Sequence, residues 1–193
     1  MKGSIGTWSC DTRGVPVVSC SLAECVCLTL VVNEPCHGWS LVRTLSPSGE
    51  IGRVWSLSRP LTYRAVDGLV AADLIVRGPV VVGAGPKRQM LAPTRLGRRV
   101  AQRWLSEPVD HLRDVRTELI LKLVLGEQRG LDPRPLLRAQ QACFEPVLLA
   151  LRSAAKTRNA DDVDRWRYES SLAVRRFLDA SLRAADRRAA VDE

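Results

Sequence analysis

The residues of this chain that could carry out acid, base or metal chemistry are few and scattered. The sequence has two histidines, His37 and His111, which are far apart and form no H-x-H or H-x-x-x-H pair. A catalytic histidine needs a nucleophile or an acid beside it, and a metal site needs companion ligands at short spacing. The sequence also lacks a phosphate-binding loop, a G-x-S-x-G segment and an H-E-x-x-H segment. We therefore predict that the chain is not an enzyme, has no catalytic residue and holds neither a metal nor a cofactor.

The six cysteines are a second possible source of chemistry. Five of them precede His37, and no two form the C-x-x-C pair that is typical of metal sites and dithiol redox centres. We predict that they pack as small apolar side chains in a reduced, cytoplasmic protein. The alternative is a thiol-based redox sensor that acts through Cys25, Cys27 and Cys36.

The charge of the chain favours an anionic partner. The net charge is +8 and the sequence pI is about 9.7, which favours nucleic acid first and a membrane surface second. Only four of the 29 basic residues are lysine. Arginine suits bidentate contacts to phosphate and guanine, although a GC-rich coding sequence produces the same bias. No apolar run approaches the roughly 20 residues of a membrane span, so we expect no membrane partner.

Hydrophobic periodicity predicts three helices in the first part of the chain. Ser21 and Glu24 have the spacing of a capping box, and the helix that follows them ends before Pro35. A second, shorter helix starts within residues 37–41, HGWSL, with its tryptophan and leucine packed against neighbouring helices. Ser58 is predicted to cap a third helix. The first 20 residues show no sustained period and are predicted to be a flexible arm.

A change of period after the third helix predicts a β-hairpin. Within residues 74–91, a run rich in β-branched residues precedes residues 83–86, GAGP, and a second short segment ending in Met90 and Leu91 follows them. Three short helices followed by a hairpin are typical of a winged helix-turn-helix. Thr94 is then predicted to cap a further helix over 95–106. We assign residues 21–107 to this predicted DNA-binding domain.

The remainder of the chain, 108–193, is predicted to be a helical dimerisation domain. Its periodicity predicts helices over 109–128, 133–157 and 161–187, with Pro146 as a kink in the second. A few amphipathic helices without a sheet bury little surface alone, so we expect them to pack on one another and on a second subunit. The apolar face of the last helix supplies the predicted dimerisation residues, which are Trp166, Val174, Phe177 and Leu182.

In a winged helix-turn-helix the third helix enters the major groove and the hairpin touches the backbone or the minor groove. The basic, hydroxyl and phenol side chains at these places are the predicted DNA contacts: Ser58, Arg59, Thr62, Tyr63, Arg64, Arg77, Lys87 and Arg88. Tyr63 is equally compatible with a place in the core. Large aromatic rings could also stack on a planar effector, and the candidates are Trp39, Trp104 and Trp166.

Several segments together resemble the PadR-like transcriptional regulators. Residues 37–41, HGWSL, are similar to the family's H-G-Y-E-L segment, and residues 61–69, LTYRAVDGL, to its T-L-Y-x-A-L-x-x-L recognition helix. Residues 71–75, AADLI, stand where the family has E-x-G-L-I, with Asp73 in place of the usual glycine. Residues 85–97 echo the family's wing motif, with Met90 in place of an aromatic residue. The resemblance covers about residues 22–190.

The resemblance implies a mostly helical fold with a small β-hairpin wing, namely a winged helix-turn-helix followed by a helical dimerisation region. It also implies a homodimer that binds a palindromic double-stranded DNA operator. We expect a repressor that a small aromatic molecule releases from its operator. The alternatives are a helical adaptor that uses the winged fold for protein contacts and the thiol-based redox sensor.

Overall fold

The computed structural model describes residues 9–10, 16–17, 19–81 and 88–191. The chain divides into two compact units, Met1–Gln102 and Arg103–Glu193. Within the predicted arm of residues 1–20, Ser9–Cys10 (β1) pairs antiparallel with Pro16–Val17 (β2). Residues 19 and 20 are also described. The other residues of the arm, which was predicted to be flexible, lie outside the described residues.

The first helix of the N-terminal unit, α1, is its central core element. It spans Leu22–Asn33, and the predicted capping box is present, because Ser21 and Glu24 satisfy each other's backbone N–H groups. Six apolar residues of this helix are buried, so it is enclosed by neighbours on most of its circumference. The extended Glu34 and the following Pro35 end the helix, as predicted.

The second helix, α2, begins where the HGWSL segment predicts. Cys36–His37 forms a short strand, β3, and α2 follows directly over Gly38–Thr44. Leu41 is buried, as expected, but Trp39 is 52% exposed, so the prediction that it anchors α2 in the core is wrong. In seven residues α2 makes barely two turns, and Leu41 and Val42 are its two buried residues. Trp39 therefore lies outside this contact.

The third helix, α3, spans Arg59–Ala71 and carries Pro60 in its first turn. Ser58 occupies the N-cap position with an extended backbone, although its side chain makes no capping hydrogen bond. After the helix the chain turns at Asp73, whose φ of 55° lies in the left-handed region. Glycine is the usual residue there, and aspartate is among the few side chains that tolerate this conformation. Asp73 therefore makes this turn in a backbone conformation that glycine adopts most readily.

The hairpin consists of β4, Ile75–Val81, and β5, Arg88–Pro93. The structure adds a third strand that sequence reasoning missed, because β3 pairs with β5 on its other side and gives the order β3-β5-β4. Gly78 and Pro79 of β4 form a bulge opposite Met90. Because β4 is an edge strand, it tolerates the proline at this bulge. The predicted turn at residues 83–86 lies outside the described residues.

The fourth helix, α4, spans Arg95–Ser106 and is tied to the end of α3 by one side chain. The Thr94 hydroxyl accepts the Gly97 N–H at 2.9 Å and donates to the Asp73 carbonyl oxygen at 2.8 Å. This satisfies an orphan donor of the first turn, so the predicted cap at Thr94 is confirmed. The Thr94 N–H also donates to the Leu74 carbonyl oxygen, which holds the start of α4 against the start of β4.

The C-terminal unit begins irregularly, so the prediction of one continuous helix over 109–128 is wrong. A 3-10 turn at Leu112–Asp114 and a π-helical turn at Val115–Leu119 precede the α-helix α5, Ile120–Glu127. The long-range contact at Val109 accounts for the extended start. Its N–H and C=O groups both bond to the buried Gln140 amide, at 2.7 and 2.9 Å, and are held outside any helix.

Two long helices complete this unit. They are α6, Arg134–Ala155, which contains Pro146, and α7, Asp162–Ala189, which Asp161 caps by accepting the Asp164 N–H. They pack on each other around Leu137, Phe144 and Leu178. In the described part of the chain, no helix is long and apolar enough to cross a membrane.

Candidate nucleic-acid interface

The outward face of α3 is the strongest candidate for an interface. Its inward side is closed by Ala65, Val66 and Leu69, which are buried against the rest of the unit. Because the helix is amphipathic, the residues opposite them face solvent. The exposed residues of α3 are Arg59, Pro60, Leu61, Tyr63, Arg64, Asp67 and Ala71. Neither Arg59 nor Arg64 forms an ion pair with another described residue, so both are available to an anionic ligand.

Tyr63 lies at the edge of this face, between α2 and α3. Its ring is 37% exposed, and a Cβ placed on Gly38 would lie 3.0 Å from its Cε1 atom. A glycine at the start of α2 therefore gives the ring its space. The Arg59 guanidinium carbon lies 5.8 Å from the ring centroid, within cation–π range. Tyr63 consequently packs on α2 with one part of its ring and supports Arg59 with the other.

Thr62 does not belong to the exposed set. Its side chain is fully buried, and its hydroxyl donates to the Ser58 carbonyl oxygen at 3.1 Å. A threonine at this position lies on the buried side of α3, with Ala65, Val66 and Leu69. The prediction that Thr62 contacts DNA is corrected accordingly, whereas Ser58 at the N-cap is exposed.

The hairpin brings Arg77 of β4 to α3. The Arg77 guanidinium donates to Oδ1 of Asp67, and the two side chains are 40% and 65% exposed. Sequence reasoning singled out Arg77 and missed Asp67, since only the fold brings these two positions together. Lys87 lies outside the described residues, and for Arg88 the structure describes its place in β5 alone.

A second group of cations on the N-terminal unit was also missed. Arg95, Arg98 and Arg99 are all exposed and share one face of α4, because positions i, i+3 and i+4 of a helix are neighbours. None of them forms an ion pair with another residue that the structure describes. Their spacing is visible in the sequence, and the helix predicted over 95–106 would have sufficed to find them.

The three candidate effector tryptophans have different environments. Trp39 is 52% and Trp166 is 72% exposed, one in each unit. Trp104 already makes side-chain contacts within the C-terminal unit. Its indole N–H donates to Glu118 Oε1 at 2.9 Å, and the Lys122 ammonium lies 5.3 Å from its ring centroid. Of the three, Trp104 is therefore the one whose polar atom and ring face already serve a structural contact.

The cysteines differ in the availability of a thiolate. Burial raises the pKa of Cys27 to about 12 and that of Cys36 to about 11, so both are protonated at neutral pH. A hydrogen bond with the Cys25 side chain lowers the pKa of Cys20. Because the thiolate is the reactive form, Cys27 and Cys36 are poorly suited to sensing oxidants. The described residues contain no cluster of three or more His, Cys, Asp or Glu side chains suited to a metal ion.

Three helices, a three-stranded antiparallel sheet with a hairpin, and further helices after it define a winged helix-turn-helix fold with a helical C-terminal region. No protein-family model matches the sequence, and no curated protein matches it either. Among solved structures, the chain is similar to Bacillus subtilis PadR in a crystal structure with operator DNA. The match has a TM-score of 0.43 at 17% sequence identity, and it covers 82% of this chain and 97% of that one.

Proposed function

We propose that this chain is a dimeric, sequence-specific DNA-binding regulator of transcription, and a repressor. The observation that carries the proposal is the exposed face of α3, where Arg59 and Arg64 have no carboxylate partner among the described residues and the hairpin stands beside them. A helix of this kind fits the major groove, and two arginines one to two turns apart can bind phosphates or guanine edges. The basic net charge and the motif resemblance support the same function.

The proposed DNA-contacting residues follow from exposure and chemistry. Ser58, Arg59, Tyr63 and Arg64 contribute from α3 and its cap, and Arg77 from the hairpin. Lys87 and Arg88 are assigned to the DNA backbone on their sequence position alone. Thr62 is left out because its hydroxyl is buried and bonded.

The first test removes the two unpaired cations of α3. We expect Arg59→Ala/Arg64→Ala to weaken binding to the upstream DNA of the protein's own gene by at least about tenfold, because contacts to charged groups are lost at two places. If both arginines bind phosphate, the slope of log K against log salt becomes shallower by roughly 0.9 for each lost contact. Fluorescence anisotropy titrations at several salt concentrations measure both quantities.

The matched control is Arg152→Ala/Arg158→Ala, which removes the same charge from exposed positions of the C-terminal unit. We expect this variant to keep the wild-type affinity and salt slope. An equal loss in both variants would mean that net charge, rather than the α3 face, binds the DNA. A wild-type protein that binds no genomic duplex would favour the adaptor function instead.

A dimer surface is proposed on the C-terminal unit around Trp166. The second half of α6 exposes Val147 and Leu149, and the start of α7 exposes Val163 and Trp166. Val163 and Trp166 are three residues apart and share one face of α7, and exposed apolar side chains of this kind are typical of an interaction surface. The other predicted dimerisation residues, Val174, Phe177 and Leu182, are partly buried against the core of their own unit, so they support α7 from within.

We expect Trp166→Glu to convert a dimer into a monomer, because the change places a charge in an apolar contact at the centre of the proposed surface. Sedimentation equilibrium measures the mass directly. Trp39→Glu is the matched control, since it makes the same substitution at an exposed tryptophan of the other unit, and it should leave the mass of the dimer unchanged. A wild-type mass for the Trp166 variant would contradict the proposed surface.

Release by a small, largely apolar molecule is the finer form of the proposal. The C-terminal unit has a groove of about 610 Å³ between α5, the turn that follows it and α7, with Leu123, Leu131 and Phe177 in its lining. This volume falls in the usual range of small-molecule sites. Trp39 and Trp166 do not line this groove, so they remain candidates only for an effector bound elsewhere. Trp104 is no longer a candidate, because its ring is already engaged.

A further inference from the structure

A carboxylate stands in the middle of the face that is proposed to meet DNA. Asp67 lies on α3 one turn after Arg64 and is 65% exposed. An uncompensated negative charge at this place would repel the phosphates of a duplex. The Arg77 guanidinium compensates part of that charge, since it donates to Oδ1 of Asp67 from the neighbouring strand. Its other N–H groups and the remaining lone pairs of the carboxylate stay available to a ligand.

The ion pair therefore presents a hydrogen-bond acceptor and a donor side by side. In the major groove a C·G pair shows the complementary pattern, because the N4 amino group of cytosine is a donor and the O6 and N7 atoms of guanine are acceptors. Adenine also has an amino donor, but that group lies between two acceptors, its own N7 and O4 of thymine, and Arg77 could bond only one of them. The amino group of cytosine has an acceptor, guanine O6, on one side only, and the Arg77 guanidinium would bond that acceptor.

We propose that Asp67, oriented by Arg77, reads a C·G base pair in the major groove, with Asp67 accepting from cytosine N4 and Arg77 donating to guanine. This inference rests on the proposed function and names its specificity determinant. Two positions that are ten residues apart in sequence meet through the α3–β4 turn at Asp73. Asp67 therefore discriminates against non-cognate DNA, because its carboxylate weakens binding to every duplex that offers no amino group at that place.

The test compares the duplexes selected from a randomised pool by the wild-type protein and by Asp67→Asn. An amide can bond adenine through N6 and N7 together, whereas a carboxylate cannot. We expect the variant to change its preference from C·G to A·T at one position in each half-site and to keep every other position. For two duplexes that differ at that pair alone, the ratio of dissociation constants should change by about tenfold or more.

Asp73→Asn is the matched control, since it makes the same chemical change at an exposed aspartate past the end of α3, and we expect it to select the wild-type sequence. Arg77→Ala should relax the preference at the same position without moving it to A·T. This second variant keeps the test decisive if Asp67→Asn fails to fold, which its thermal unfolding reports.

The outcomes separate the inference from the function on which it rests. The reading of a C·G pair would be overturned if Asp67→Asn selected the same sequences as the wild type. It would also be overturned if Arg77→Ala kept full discrimination at every position. Either result would leave DNA binding intact. A wild-type protein that selects no sequence would overturn the proposed function and this inference together.

Discussion

Gly97→Ala is expected to lower the free energy of unfolding by about 2 to 3 kcal/mol. A Cβ at this buried position of α4 would overlap the Leu74 carbonyl oxygen and lie 3.2 Å from Leu28 Cδ1. Helix α4 must then move away from the start of β4, and overpacking of this kind typically costs about 1 to 3 kcal/mol. The movement also strains the Thr94 cap, whose loss is worth about 1 kcal/mol. The better helix propensity of alanine offsets a part of this, up to about 1 kcal/mol.

The matched control is Gly126→Ala in α5, which is also buried. A Cβ there would meet Leu131 at 3.9 Å, an ordinary van der Waals distance. The same substitution should therefore stabilise the protein by up to about 1 kcal/mol. Urea unfolding followed by tryptophan fluorescence and by circular dichroism compares the two variants. A Gly97→Ala protein as stable as the wild type would mean that the Leu74 carbonyl can move at no cost.

Glu118→Ala is expected to destabilise the C-terminal unit by about 3 kcal/mol. The Lys122 side chain is only 3% exposed, and its ammonium group bonds to Glu118 Oε1 at 3.0 Å and to the Glu107 carbonyl oxygen at 2.8 Å. Removing the carboxylate leaves a buried cation without its counter-charge, which typically costs about 3 to 5 kcal/mol. The Glu118 side chain is itself partly exposed, so the lower end of this range applies. The Trp104 N–H also loses its acceptor.

The double variant Glu118→Gln/Lys122→Met should be markedly more stable than Glu118→Ala. It removes both charges together, fills the space of the lysine stem and keeps an acceptor for Trp104, and such replacements of a buried pair are often close to neutral. Arg165→Ala is the control, because its ion pair with Asp162 is exposed and should contribute less than about 1 kcal/mol. Equal losses from Glu118→Ala and Arg165→Ala in urea unfolding would contradict a structural role for the buried pair.

Local signals in the sequence predicted most of the helices and two of their caps. Ser21 with Glu24, and Thr94 before α4, act within three or four residues, so their chemistry is decided by neighbours in the chain. Apolar periodicity over α3, α6 and α7 has the same local origin. The β-branched run of β4 and the turn residues after it predicted the hairpin for a related reason, because both signals lie within one short segment.

Long-range pairing explains what sequence reasoning missed. Strand β3 is two residues long and exists through its pairing with β5, where His37 Nδ1 also lies 3.2 Å from the Gln89 carbonyl oxygen. A two-residue segment is too short for the alternating pattern that predicts a strand or its pairing partner. The bonds from the Gln140 amide to Val109 likewise take the start of the 109–128 segment out of the helical pattern.

Periodicity and turn residues alone were enough to predict amphipathic helices and one hairpin, and the excess of arginine is visible in the composition. Periodicity also placed Arg59 and Arg64 on the third helix. Which side chains face outward became visible only in the folded chain, where Thr62 of α3 is buried, Trp39 of α2 is exposed and Arg77 of β4 meets Asp67. The physical reason is that propensity and capping act within a few residues. Burial and ion pairing depend on which elements the whole chain brings into contact.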